Sequence, residues 1–246
     1  MSNKIKKTVH AVNLGIVKYG DTSLIANCYT LEYGLQSYML KGVLSRSKKK
    51  KIRPLFEPLN LLELEAPPNK ENKIGYITEV KIAYVFNSIP YDLNKKALVF
   101  FISEVIHQVV REEQGPNKLL FNYIQRKLVW LDKNHFLSLF HLKIMLDITK
   151  FIGFSPNISN SNAPYFDMET GCFTSIKPKT NFIKTPLKEH FTQLLGMDFD
   201  KVNEIRILKE DKIMLLDKVI TYFELHLQQF KPPKSLKILN EIFKVP

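Results

Sequence analysis

The stretch from Lys41 to Arg53, KGVLSRSKKKKIR, carries seven positive side chains and no negative one. Lys41, Arg46, Lys48, Lys49, Lys50, Lys51 and Arg53 could neutralise phosphates and release counterions, the main source of sequence-independent nucleic-acid affinity. Lys18 lies just upstream. Tyrosines are interleaved with these cations: Tyr19, Tyr29, Tyr33 and Tyr38. Aromatic rings are the platforms on which unpaired bases stack. Lys18, Lys41, Arg46, Lys48–Lys51 and Arg53 are therefore the candidate phosphate contacts, with Tyr19 and Tyr38 for stacking. A flexible lysine run shapes no base-reading surface, so the expected binding is independent of sequence. The competing reading is a solvated loop that keeps the protein soluble, with some of the tyrosines in the core.

Other chemistries find little support. The six histidines are scattered, and no HExxH or HxH spacing occurs. Cys28 and Cys172 are far apart and belong to no CxxC pair, so neither a cysteine zinc site nor a disulfide framework is expected. There is no GxSxG, no GxxxxGK[ST] and no GxGxxG. The reading is a non-enzyme without cofactor or metal. The net charge of +12 favours an anionic partner. No apolar run reaches membrane-spanning length and no signal peptide follows the basic N-terminus, so a soluble protein in a reducing compartment is expected.

The elements that must position these residues change character along the chain. Residues 1–88 hold five strand-like segments. The first two meet at Gly20-Asp21, and Pro54 and Pro58 mark the fourth as an edge or a bulge. In the fifth, Thr78, Val80, Ile82 and Tyr84 form the buried alternation. Five short strands suit a small closed barrel. This part carries +7 (14 Lys and Arg against 7 Asp and Glu). After Pro90 the spacing turns helical: Leu98, Phe101, Ile102, Val105, Ile106 and Val109, then Leu120, Ile124, Leu128 and Leu131, then Leu137, Phe140, Ile144, Ile148 and Phe151. A small hairpin around Thr170-Gly171, near residues 163–176, interrupts the helices. They resume in PLKEHFTQLLG, at Ile213 to Phe230, and in a short final helix. The fold class is α+β: a barrel over residues 1–88, then an all-α domain over 89–246 with a hairpin insertion.

GIVKYGDTSLIANCYTLEYGLQSYMLKGV (Gly15–Val43), RPLFEPLNLLELE (Arg53–Glu65) and YFELHLQQFKPPKSLKILNEIF (Tyr222–Phe243) resemble the RecO family of bacterial recombination mediators and DNA-repair proteins. The resemblance spans nearly the whole chain. It implies that the barrel is a five-stranded OB-fold. It also implies binding of single- and double-stranded DNA and annealing of complementary strands coated by single-strand-binding protein (SSB). It further implies help to RecR in loading RecA, and a cytoplasmic, nucleoid-associated location. Some family members carry a four-cysteine zinc module where this chain has only Cys172, so that site cannot form here. The family binds the acidic, apolar tail of SSB partly through its helical domain. Lys118, Phe121, Ile124 and Lys127 could supply an apolar pocket with a positive rim, and Lys143 a second rim position; the alternative is a lysine stem covering the core edge. A protein-binding adaptor with incidental DNA affinity is the alternative function.

Overall fold

A computed structural model describes residues 8–45, 52–67, 73–113 and 115–244. The chain forms two compact units, residues 1–134 and 135–246. Strands give way to helices near residue 90, but the first two helices belong to the same compact unit as the barrel.

The first unit holds β1 (Thr8–Tyr19), β2 (Ser23–Thr30), β3 (Gly34–Leu40), β4 (Leu61–Glu65), β5 (Gly75–Tyr76) and β6 (Glu79–Ile82), in the order β5-β3-β2-β1-β4-β6. The long β1 pairs antiparallel with β2 and with β4, and its register slips once at a bulge between Asn13 and Gly15. β5 pairs parallel to β3, and β6 pairs antiparallel to β4. Only Ile77 and Thr78 separate β5 from β6. A single chain segment thus engages both edges of the sheet and closes it into an OB-fold barrel. Val9, Ala11, Leu24, Ala26, Cys28, Tyr38, Leu40, Leu62 and Leu64 are among the side chains that fill it. Burial pushes the Cys28 thiol well above its ordinary range, which suits an inert core residue.

The fourth and fifth segments depart from the sequence reading. Arg53–Phe56 is a 3-10 turn, and only Leu61–Glu65 is strand. Pro54 and Pro58 offer no N–H to a ladder. The buried Asn13 amide instead donates to the carbonyls of Phe56 (2.6 Å) and Glu57 (3.1 Å) and holds the turn. In the fifth segment the alternation breaks. Ile77, Val80 and Ile82 pack against the core, whereas Thr78 is exposed.

Helices α1 (Leu93–Glu112) and α2 (Lys118–Lys133) follow. Asp92 caps α1 by accepting from the N–H groups of Asn94 and Lys95, and Asn117 caps α2 by accepting from that of Leu120. Both helices bury the apolar stripes read from sequence. Tyr29 fastens α2 to the barrel: its hydroxyl donates to the Asn117 carbonyl at 2.9 Å, and its ring meets Phe121. At the far end of α2, one Asp132 oxygen accepts from the N–H groups of Asn87 (3.0 Å), Ser88 (2.8 Å) and Ile89 (3.1 Å). Lys95 completes the junction by donating to Ser88 Oγ and to the Asn134 carbonyl.

The second unit holds α3 (Phe140–Ile148), β7 (Tyr165–Asp167), β8 (Cys172–Thr174), β9 (Phe182–Lys184), α4 (Leu187–Gly196), α5 (Lys209–His226) and α6 (Leu236–Lys244). The expected hairpin is β7–β8, and β9 adds a third strand on the other side of β7. Phe166 packs against Phe191 and Phe173, with ring centroids at 4.6 and 5.0 Å. The Tyr222 hydroxyl donates to the Phe154 carbonyl, and His226 Nε2 lies 2.9 Å from the Met168 carbonyl. Aromatic packing and these polar ties hold the small sheet. Both cysteines are free.

Buried titratable groups make stability depend on pH in both units. Burial alone would raise the Asp132 carboxyl, but the three backbone donors and Ser88 outweigh it and hold the group below the usual carboxylate range. Its contribution is present above that range and is lost as pH falls through the lowered value. Asp132→Ala leaves several donors unpaired and is expected to cost about 3 kcal/mol, seen as a lower urea midpoint at neutral pH. In the second unit, burial, aided by the charge of Lys212, pushes His141 down to about 3. The unfolded histidine takes up a proton as pH falls below its ordinary value, and the folded one does not until near pH 3. Stability should therefore fall by up to about 1.4 kcal/mol per pH unit in that window. Urea titrations between pH 7 and pH 4 should show a shallower slope for His141→Phe than for the native chain.

Candidate nucleic-acid interface

Side chains alternate across a strand, and residues directly opposite on neighbouring strands share a face. Leu24, Ala26, Tyr38 and Leu40 point into the barrel, so Ile25 and Met39 point out. The register then defines an outward row. Val17 pairs with Ile25, Ile25 with Met39, and Met39 with Tyr76. Tyr19, opposite Ser23, stands on the next row towards the barrel end. Val17, Tyr19 and Tyr76 are exposed, the two rings at 52% and 53%. Lys41 leaves β3 at this end, and its Nζ sits 4.5 Å from the Tyr76 ring centroid, a cation–π contact. The Leu44 N–H donates to the Thr22 carbonyl at 2.9 Å. The exit of β3 is thereby tied to the β1–β2 turn, beside the exposed rings.

The β4–β6 face of the barrel has the opposite character. Its outward residues include His10, Glu63, Glu65, Glu79 and Lys81, with Glu63 opposite Lys81 and Glu65 opposite Glu79. Glu32 takes His10 Nδ1 at 2.8 Å, and Glu79 holds Lys81 at 3.1 Å. Carboxylates outnumber cations there, which disfavours phosphate. The barrel is polarised, with an apolar and aromatic face that carries Lys41 on β1–β2–β3–β5 and an acidic one on β4–β6.

The residues singled out in the sequence divide accordingly. Tyr19 and Lys41 lie on the outer β1–β2–β3–β5 face. Lys18 is exposed too, but it shares the inward alternation with Leu24 and Leu40 and emerges at the barrel mouth. Arg53 is exposed on the 3-10 turn. Arg46 and Lys48–Lys51 lie outside the described residues. Tyr38 is not a stacking residue. It is opposite Ala26, points inward and is 0% exposed. Burial, with smaller contributions from nearby groups, pushes its phenol up. Tyr29 is buried as well. Sequence reasoning misses Tyr76, because carrying the Thr78–Tyr84 alternation backwards places it on the inward side. The break at Ile77–Thr78 turns it out.

The set read as a receptor for an acidic tail is not brought together. Phe121 and Ile124 are buried in the first unit's core and present no open apolar face. Lys143 is a correction: it is 2% exposed in the second unit, with Nζ 2.7 Å from Asp147 Oδ1, because its stem lies on the buried side of α3. Burial lowers its ammonium, and Asp147 opposes that shift. Lys118 is exposed, and the half-buried Lys127 lays its Nζ 5.7 Å from the Tyr123 ring centroid. Among the described residues no three His, Cys, Asp or Glu side chains group as a metal site, and no helix is long and apolar enough to cross a membrane.

Residues 1–86 match the family described as Recombination protein O N terminal, and residues 90–237 match Recombination protein O C terminal. The chain is 37% identical over 237 residues to the DNA repair protein RecO of Flavobacterium psychrophilum, covering 95% of this chain and 97% of that one. The DNA repair protein RecO of Flavobacterium johnsoniae gives the same identity and coverage. That of Bacteroides fragilis is 35% identical over 245 residues, covering 97% of this chain and 99% of its own.

The barrel geometry makes Tyr38 a sharp control. Its hydroxyl is buried without a hydrogen-bond partner among the described residues. Tyr38→Phe removes that unpaired group, so the variant should gain about 1 kcal/mol in urea unfolding. Its DNA affinity, measured by fluorescence anisotropy, should be unchanged.

Proposed function

The chain belongs to the RecO family of recombination and DNA repair proteins, and from that premise we propose that it binds DNA through the barrel and anneals complementary single strands coated by SSB. Annealing requires that phosphate repulsion between two strands be screened while their bases meet. Lysine and arginine side chains supply that screening, and no covalent step is involved. The observation that carries this reading is the polarity of the barrel: exposed Tyr19, Tyr76 and Lys41 on one face and an acidic opposite face. Phosphate contacts are assigned to Lys18, Lys41, Arg46, Lys48–Lys51 and Arg53, with Tyr19 beside them.

The same reading assigns protein partners. The acidic, apolar tail of SSB is the proposed ligand that brings the protein to coated strands, with Lys118 and Lys127 on α2 as its cationic contacts. RecR is the proposed partner protein, and RecA loading the downstream step. An SSB-coated strand is an anionic polymer bearing acidic tails, so one basic molecule can hold both through different groups of charge.

The test is annealing of complementary strands coated with the cognate SSB, at two salt concentrations, with the native chain and with Lys48–Lys51 all changed to alanine. The native chain should accelerate annealing, less so at high salt. The fourfold variant should bind single strands more weakly, with a log K against log salt slope shallower by roughly 2 to 3. An unchanged slope removes the lysine run from the interface. No acceleration, with SSB binding intact, favours the adaptor reading.

A further inference from the structure

The outward row on β1–β2–β3–β5 deepens the DNA-binding reading and rests on it. We infer that Val17, Ile25, Met39 and Tyr76, with Tyr19 on the adjoining row, form a base-stacking platform, and that Tyr76 is the residue that makes this protein discriminate unpaired strands from duplex.

The row crosses four strands, about 14 Å at the usual strand spacing. All four of its side chains are apolar or aromatic, and both end residues are exposed. The corresponding outward positions on β4 and β6 are charged. The apolar character is therefore local to one face and not a general property of the barrel's exterior. In a duplex the faces of the bases are occupied by their neighbours, and only edges and phosphates are offered. In a single strand the faces are free. A surface whose attraction is apolar and π-rich gains contact only with the second. Base–aromatic stacking is also indifferent to which base is present, as annealing of arbitrary sequences requires.

Lys41 couples stacking to charge. In the free protein its ammonium rests over the Tyr76 ring, an exposed contact weak enough for a base to replace. Once displaced, the ammonium is freed beside the stacked nucleotide, where it can meet the adjoining phosphate. One residue pair thus supplies a base contact and a phosphate contact, and the lysine shields the ring until a strand arrives. Tyr76 is suited to this role by the break in strand alternation that follows it. The two-residue β5 pairs only with β3, and the turn at Ile77–Thr78 returns the chain to the interior.

The experiment measures binding of the full chain to an oligonucleotide carrying 2-aminopurine, single-stranded and then in duplex, for the native protein, Tyr76→Ala, Tyr76→Phe and Lys41→Ala. Tyr76→Ala should weaken single-strand binding about tenfold, change duplex binding by about twofold at most, and leave the salt slope unaltered. Tyr76→Phe keeps the ring and should behave as the native chain. Lys41→Ala should weaken binding to both probes and reduce the single-strand slope by about 0.7. Stacking should also quench 2-aminopurine fluorescence in the native single-strand complex, a reading that needs no variant. Equal losses on both probes for Tyr76→Ala, no loss on either, or a native complex without quenching overturns the platform while leaving salt-dependent DNA binding in place. A native protein that binds neither probe overturns the DNA-binding reading and the platform with it.

Discussion

Closure of the barrel rests on one short stretch, Gly75 to Ile82, which has to satisfy two sheet edges at once. Its first part runs parallel to β3 and its second antiparallel to β4. A single uninterrupted strand cannot serve both edges of so small a barrel without a kink, and the two residues between the parts provide it. The Thr78 N–H is not lost at the kink, because it donates to the Glu65 carbonyl at 2.9 Å. Pairing both edges also blunts the open ladder that would otherwise recruit another chain. The same kink inverts the side-chain parity, so that Ile77 enters the core and Tyr76 faces outward. Barrel closure and the exposure of the ring are two results of one backbone event.

The remainder of the first unit keeps that barrel in shape from outside. Tyr29 reaches out of β2 to the start of α2, and Asp132 at the end of α2 gathers the backbone that leaves the barrel for α1. Helix α2 is thus tied to the barrel at both ends, by a hydroxyl–carbonyl bond at one and a charged acceptor at the other. A close approach reinforces the first tie. A side chain at Gly34 would meet the Gly115 carbonyl oxygen at 2.5 Å, and Gly34 has a φ of +68. Glycine is required there both by backbone conformation and by space.

How much the sequence reveals depends on the range over which each signal acts. Helical stripes are local and periodic, so α1 and α2 are legible with their buried positions correct, and α5 at Leu216, Ile220 and Phe223, although Ile213 is only half-buried. The β1–β2 turn at Gly20-Asp21 and the β7–β8 hairpin at Thr170-Gly171 are legible for the same reason. The site is less so. Tyr19 and Lys41 stand out by type, but Tyr38 carries the same local signature as Tyr19. Which of them faces solvent is decided by registers among β1, β2 and β3, and those depend on residues far apart in the chain. Tyr76 is hidden by the assumption of unbroken alternation. Lys143 shows the converse failure: a charged residue on an apolar stripe reads as a surface rim, although its partner Asp147 lies four residues on and satisfies it inside the core. The three-residue β9 is too short to carry a periodic signal at all.

A stacking face and a lysine arm place different demands on a bound strand, and annealing needs both. Charge alone condenses strands without ordering them, and at high density it would hold each strand against the protein as firmly as against its complement. Hydrogen bonds to base edges would order a strand but would occupy the groups that pairing requires. Stacking engages the faces and leaves the Watson–Crick edges open to a second strand. It also ends by itself, because a newly paired base finds better stacking in the duplex than on Tyr76. On the proposed reading the aromatic face therefore favours release of product, while the lysines, which bind duplex phosphates as readily as single-strand ones, do not. On the same proposed reading, the acidic β4–β6 face disfavours wrapping of a strand around the barrel, which also favours release of product.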